Sequence, residues 1–505
     1  MKDYVGVMRK MMIAGLDIGT TGCKITVYDK EGNFLYRAYQ DYPVSRTLGE
    51  HEVNAEAIAL GVKGVLREAV EKYPEIKAIG VTSFGESFVM LDEMDRPVRP
   101  IMLYTDPRGE EECEELVTQL GKEKITEITG LNPHSTYSLP KIIWVKKNEP
   151  EIYTKVKRIL LMEDFVIYML TGNAVIDYSL ATRTMAFDIK NLCWSEELLN
   201  AADIDSNLFS RTVITGTVAG AVSEEISKEL GLSSNVKILP VGHDQVAAAI
   251  GTGVFSIEDA VDGAGTVECV TPVFDGIPDT KIMSGNNYAI VPYVVPGKYV
   301  TYAFSYTGGA LIDWFVRSFA KEEKRISKEL GKSVYEILED GMKEGPTGIL
   351  VLPHFAGAAT PYMDNGSKGA VVGLTIEHTI SDLYKAMMEG VVYEMRLNLE
   401  RLKDAGIEPR SLKASGGGAA SSVWMQMKAD MLNVPVVSLG NAEAGAAGCA
   451  MLAGIAAGCF ETLEEAAKKL ICEKAVYYPR KEMHDAYQKY YDSYEKLYEA
   501  VRPLV

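Results

Sequence analysis

Cysteine is sparse and unpaired in this chain of 505 residues: seven, at 23, 113, 193, 269, 449, 459 and 472, with no Cys-x-x-Cys among them. An odd, scattered set argues against a disulfide framework and against structural zinc, and for a reduced, cytoplasmic setting. Basic charge is short too. The 52 Lys and Arg against 70 Asp and Glu leave a net charge of -18, which argues against a nucleic-acid or anionic-membrane surface while leaving room for a local basic pocket around an anionic substrate. Long apolar runs are missing. Residues 1–10 carry charges throughout and lack an apolar core of leader length. The longest weakly polar stretch, 444–460, is mostly Ala and Gly and shorter than a membrane span, so it reads as a buried helix packed closely through small residues.

What is present suits a globular α/β protein. A composition of 47% hydrophobic and 24% charged residues can build a sizeable core, and the length exceeds one ordinary core, so two domains of about 250 residues each are expected. The most informative stretch is Gly15-Leu16-Asp17-Ile18-Gly19-Thr20-Thr21-Gly22-Cys23-Lys24. An apolar run leads into an acidic residue, then glycines and hydroxyls, then an alternating second strand. This predicts a β-hairpin whose tip can hold a phosphate. Backbone N–H groups at the glycines approach phosphate oxygens, Thr20 and Thr21 add hydroxyl donors, Lys24 adds positive charge, and Asp17 can hold Mg²⁺ directly or through water. It is not the helix-opening P-loop, which needs Gly-x-x-x-x-Gly-Lys-Ser/Thr after a strand.

A third strand at 33–40, a helix over 55–72 capped by Asn54, and a strand at 76–81 complete an α/β opening. Ligands in such folds sit past the strand ends, where the chain reads Thr82-Ser83-Phe84-Gly85-Glu86-Ser87. A second polar cluster, Tyr104-Thr105-Asp106-Pro107-Arg108, follows another apolar run. Carboxylates in both turns suit a polyhydroxylated ligand. Residues 110–170 read as mainly helical and 208–241 as loop-rich. The strand at 236–241 then runs into Gly242-His243-Asp244-Gln245, placing Asp244 at a strand-to-helix junction. Gly251-Thr252-Gly253 marks the expected domain boundary, with Gly251 and Gly253 as hinge candidates. Beyond it, residues 260–270 repeat the opening theme, with Gly265 and Thr266 at the tip of a second phosphate hairpin. Ser381 is expected to cap a helix running to 404, and the strand 412–415 enters three glycines, 416–418, against which a base and ribose can lie.

In order, Asp17-Ile18-Gly19-Thr20-Thr21, Asp106-Pro107-Arg108, Lys141-Ile142-Ile143-Trp144, Gly242-His243-Asp244-Gln245, Gly265-Thr266, Gly369-Ala370-Val371-Val372-Gly373-Leu374 and Gly416-Gly417-Gly418-Ala419 resemble the FGGY carbohydrate kinases, relatives of actin, hexokinase and the heat-shock ATPases. The resemblance implies two ribonuclease H-like, actin-like ATPase domains, mixed sheets flanked by helices, with a cleft between them that closes over sugar and ATP. Residues 1–252 would carry the sugar site and first phosphate loop, and 253–505 the nucleotide side. It further implies Asp244 as the catalytic base, Asp17 as the Mg²⁺-associated aspartate, Thr20, Thr21 and Lys24 as the first phosphate loop, Gly265 and Thr266 as the second, and Gly417 and Gly418 beside adenine. Family members often form homodimers.

No subfamily is matched in full. Xylulokinases carry Met-His where this chain has Gly85-Glu86. Glycerol kinases carry Arg-Glu there and share Asp244-Gln245. Rhamnulose and fuculose kinases share Phe84-Gly85 and His243-Asp244, and the autoinducer-2 kinase keeps a glutamate at 86. Loss of Arg at 85 predicts an enlarged pocket without a donor fork, and so a ketose or polyol of about five carbons, xylulose being the commonest substrate in the family. Glu86 and Asp106 are the expected sugar contacts, then Gln245, with Tyr137 and His134 as secondary pocket candidates. Glycerol, deoxyketose or autoinducer-2 kinases are the alternatives within the family. A non-catalytic sugar sensor on the same fold is the alternative of another class.

Overall fold

The computed structural model describes residues 11–440 and 443–505. The charged stretch 1–10 lies outside the described residues. The apolar run and its alternating partner form the expected hairpin, Met12–Ile18 antiparallel to Gly22–Asp29. The helix Ala55–Lys72 starts where Asn54 accepts hydrogen bonds from the backbone of Glu56 and Ala57 and buries Ile58, Val62, Val65 and Leu66 along one face. It delivers Ile76–Ser83 parallel to the first strand, and Lys237–His243 lies parallel on the far side of that one. The sheet has six strands, with these three parallel strands at its centre. Register matters for the site. Ile18 and His243 both pair with Ser83, so the carboxyl ends of all three strands finish level and their next residues emerge together along one edge.

The second half repeats the unit. Asp259–Ala264 and Glu268–Asp275 form an antiparallel hairpin, and Ser411–Ser415 runs parallel beside the first of them. The helix Ala444–Ala457 leaves this half to pack on the first sheet. Methyl groups added to Gly15 or Gly80 would overlap the carbonyls of Ala446 and Cys449, and one on Gly448 would overlap that of Ala247. The stretch rich in Ala and Gly is therefore a buried helix in backbone-to-backbone contact, as its composition suggests.

Three local expectations are corrected. The cap of the helix Ile380–Asp404 is Thr379, which forms a reciprocal capping box with Asp382. Ser381 lies inside the first turn. Within 208–241 a short helix, Glu224–Leu230, starts at Ser223 and stops at Gly231. Gly251 is not in a loop. It ends the helix Asp244–Gly251, where a methyl group would overlap the Ala444 carbonyl, so close helix packing accounts for it without a hinge.

Candidate active site

Asp17 is the last residue but one of the first strand, at its carboxyl end. Its Oδ2 is 3.2 Å from Lys24 Nζ, directly across the hairpin, and that ammonium also lies 2.7 Å from Glu443 Oε2 at the start of the helix Ala444–Ala457. Lys24 therefore bridges two carboxylates. Burial pushes the Asp17 carboxyl above its ordinary pKa despite Lys24, and Asp244 and Glu443 add to the rise. At the tip, Gly19 N–H donates to the Gly22 carbonyl at 2.9 Å, which leaves Thr20 and Thr21 to make the turn.

Asp244 opens the helix Asp244–Gly251 straight from the strand end. The turn into it requires glycine: Gly242 has φ +95°, and a Cβ there would run into Ser179 Oγ and the Asp177 carboxylate. A buried polar frame holds this conformation. Glu163 Oε1 accepts from Val241 N–H at 2.9 Å and from Gly242 N–H, Ser179 Oγ accepts from His243 N–H at 3.1 Å, and Asp177 accepts from Ser179 and from Thr215 Oγ1 at 2.6 Å. His243 Nε2 then sits 3.2 Å from Asp244 Oδ1. Burial lowers the His243 pKa to about 3, with the Arg183 charge contributing, so the ring is neutral. Burial raises Asp244 to about 6, opposed by the Gln245 donors, Arg183 and Lys24. The Asp244 side chain keeps 40% of its surface open, yet protein from both halves surrounds it closely enough to disfavour its charge. A reachable carboxylate titrating near neutrality is the requirement for a general base.

Next to it, Glu86 takes φ +63° between Gly85 and Ser87, and Arg183 Nε donates to its Oε1 at 2.7 Å. The guanidinium lies 5.2 Å from the Tyr137 ring and 5.9 Å from that of Tyr302, a residue of the second half. The enlarged pocket expected at Gly85 is not found. A Cβ there would stand 3.1 Å from both Arg183 Cγ and His243 Cδ2, so a guanidinium is present, brought from elsewhere in the chain. Asp106 also departs from expectation as a sugar contact. Its side chain is wholly buried and its oxygens accept from Arg108 Nε at 2.9 Å, Arg108 Nη2 at 2.7 Å and His51 N–H at 2.8 Å. Burial pushes its pKa up, but these bonds outweigh it and hold the carboxyl low. In this geometry Asp106 fixes Arg108 and keeps no face for a ligand. Gln245, on the first turn of the same helix as Asp244, stays partly open.

On the other side, Gly265 and Thr266 form the second hairpin's tip, and their carbonyls accept from Gly309, Gly308 and Ala310 at the start of the helix Gly309–Ser318. Gly416, at φ +96°, approaches the Ala264 carbonyl too closely for any Cβ, whereas Gly417 faces open space. The glycine turn and the second hairpin are thus adjacent. A methyl on Gly418 would meet the Trp424 ring at 2.9 Å.

Residues 12–251 match the N-terminal domain of the FGGY family of carbohydrate kinases, and residues 260–457 match its C-terminal domain. The chain belongs to this family. A xylulose kinase of Staphylococcus epidermidis is 29% identical over 496 residues, 96% of either protein, and a glycerol kinase of Desulforamulus reducens is 31% identical over 480 residues, 92% of this chain and 93% of that one. The crystal structure of a xylulose kinase from Lactobacillus acidophilus superimposes with a TM-score of 0.87 at 23% identity, covering 97% of this chain and 98% of that one, a likeness of fold. The chain is therefore a carbohydrate kinase with the two-domain actin-like ATPase architecture, transferring a phosphoryl group from ATP to a sugar or polyol hydroxyl.

Three residues around Glu86 escaped sequence reasoning: Arg183, Tyr302 and Lys141. Arg183 is 97 residues from Glu86, and no local pattern signals their pairing. Lys141 lay inside a recognised motif. It is fully buried, its ammonium donates to the Ser135 carbonyl, and burial lowers its pKa to about 8. For the metal, no group of three or more His, Cys, Asp or Glu side chains among the described residues is arranged to hold an ion. Asp17, level with the hairpin tip, fits an ion that takes most of its ligands from phosphate and water.

Proposed function

We propose that the kinase phosphorylates a terminal hydroxyl of a ketopentose such as xylulose, with Asp244 as general base. The observation that carries this is the Asp244 carboxylate itself: raised to about 6, held by His243, and placed at a level strand edge between the Glu86 and Arg183 pair and the Asp17 hairpin. Glu86 and Gln245 orient the sugar beside Gly85. Asp244 takes the proton as the hydroxyl oxygen attacks the γ-phosphorus, whose bond to the bridging oxygen breaks so that ADP leaves. The tips at Thr20 and Thr21 and at Gly265 and Thr266, with Lys24, take the phosphates, and Gly417 and Gly418 receive the base and ribose. Asp17 is the residue that would hold Mg²⁺, which supplies charge neutralisation at the phosphates when bound. Phosphoryl transfer asks the protein mainly for such positioning and neutralisation.

We divide the chain at 252 and 253. The first large sheet draws its strands from residues 12–243 and the second from 259–477, which supports that division. Seven free cysteines support a cytoplasmic setting, and no described helix is long and apolar enough to cross a membrane. A homodimer rests on the family resemblance alone, and light scattering reads it directly.

The test is ATP consumption with Mg²⁺ across xylulose, ribulose, rhamnulose, fuculose, erythritol, glycerol and gluconate, repeated with Asp244→Asn. A preference for a ketopentose, lost by about 10²–10⁴-fold in the variant while ATP binding persists, supports the reading. Near-normal turnover by Asp244→Asn removes Asp244 as the base. Silence of the native enzyme on every sugar, with ATP bound, favours a sensor.

A further inference from the structure

Position 85 contributes no side chain to the sugar pocket, and the stem of Arg183 and the ring of His243 close on the space instead. Arg183 turns two donors, Nε and Nη2, onto a single oxygen, Glu86 Oε1. Glu86 is held to receive them. Its backbone takes φ +63°, a region a glutamate rarely occupies, and Ser138 Oγ donates to its carbonyl at 2.7 Å. The pair is almost dehydrated, the two side chains being 13% and 7% exposed. Glu86 Oε2 receives no hydrogen bond from any described residue, and it is not sealed away among the buried unpartnered atoms. The unit therefore shows the pocket a cancelled charge and one accepting oxygen.

A solitary guanidinium at a sugar site would welcome a sugar acid, because its donor fork matches a carboxylate. Here the fork is already taken by Glu86, and an incoming carboxylate would meet both Glu86 and Asp244. A sugar hydroxyl instead finds an acceptor in Glu86 Oε2. Discrimination then arises as much from repulsion of the acid as from attraction of the neutral sugar.

We propose that the pair of Arg183 and Glu86 is a specificity-determining element: it admits uncharged polyhydroxylated acceptors, one hydroxyl donating to Glu86, and turns away aldonic acids of similar size. This rests on the reading of the site as a sugar kinase centre. The experiment compares xylulose, ribulose and glycerol with gluconate, as kcat/KM and as Kd by calorimetry in the presence of a non-hydrolysable ATP analogue, for native enzyme, Glu86→Gln, Arg183→Ala and Arg183→Lys, with melting curves to show that each variant is folded. In the native enzyme the neutral sugars should exceed gluconate by about 100-fold or more. Glu86→Gln keeps the shape and releases the guanidinium, so that ratio should narrow at least tenfold, chiefly by improved gluconate binding. Arg183→Ala should raise KM for neutral sugars about tenfold, and Arg183→Lys should not restore it because a point charge cannot replace the fork.

The proposal is overturned if native enzyme binds gluconate as well as neutral sugars, or if folded Glu86→Gln leaves the ratio within twofold of native. If no sugar is phosphorylated, the kinase reading of the site fails while the Kd ratios still decide the selectivity.

Discussion

His243 Nε2 lies 3.2 Å from Asp244 Oδ1, and the opposite ring nitrogen lies 3.4 Å from the Tyr302 hydroxyl. Since the ring is neutral, Tyr302 donating to Nδ1 assigns the imidazole proton to Nε2, which donates to the carboxylate. Asp244, the proposed base, acts only when ionised. With Asp244 raised to about 6, kcat/KM should be full above that pH and fall about tenfold per unit below it. His243→Phe removes a donor to the ionised form, so the acid limb should move to higher pH. A pH profile of the variant that superimposes on the native one would show that His243 does not hold the base.

Gly242 carries the turn on which Asp244 is mounted. Gly242→Ala must relieve a contact with Ser179 and Asp177 at a φ that alanine resists. The frame of Glu163, Ser179 and Asp177 should break before the fold does, costing roughly 1–3 kcal/mol of stability by overpacking. Activity should fall by more than the stability loss explains, read as kcat on protein that urea titration shows to be folded. Native kcat in that variant would separate the turn from the base.

Gly251 distinguishes packing from hinge motion. If the helix contact with Ala444 is what requires glycine, then Gly251→Ala lowers the melting temperature by several degrees, an overpacking cost of roughly 1–3 kcal/mol. A hinge would give the reverse, an unchanged melting point with altered kcat and KM together. Calorimetry beside steady-state kinetics separates the two.

These cases show which information the sequence holds. The hairpins, the helix capped by Asn54 and the strand that delivers Asp244 were legible because each is written in adjacent residues as alternation, a cap or a glycine turn. Asp106 misled for the same reason. A carboxylate in a polar turn looks available, but Arg108 two residues on takes it bidentately, and that local bond left no periodic trace. Arg183 was illegible because its partner lies far along the chain, and Gly251 because its neighbour is the helix Ala444–Ala457. The helix Glu224–Leu230 had readable limits in Ser223 and Gly231, yet its seven mostly polar residues give no apolar stripe. Close approach and long-range pairing decide function here, and neither has a period.

A buried ion cluster ties the helix after the glycine turn to the second hairpin. Lys428, on the helix that follows the glycine turn, is fully buried, and its ammonium donates to Asp262 at 2.9 and 2.7 Å and to Glu268 at 2.7 Å, one residue on each strand of the second hairpin. Burial lowers the lysine pKa, but the two carboxyls more than reverse this. Burial raises Glu268 well above its ordinary value, against the pull of the Lys428 charge. Lys428→Met would strand the Asp262 charge in the core, and removal of one partner from such a pair costs roughly 3–5 kcal/mol. Adding Asp262→Asn to Lys428→Met should recover a large part of the stability at pH 7. Urea unfolding of the single and double variants at that pH measures this, and a single variant within about 1 kcal/mol of native, the size expected of an exposed pair, would show that the triad does not tie the glycine turn to the second hairpin.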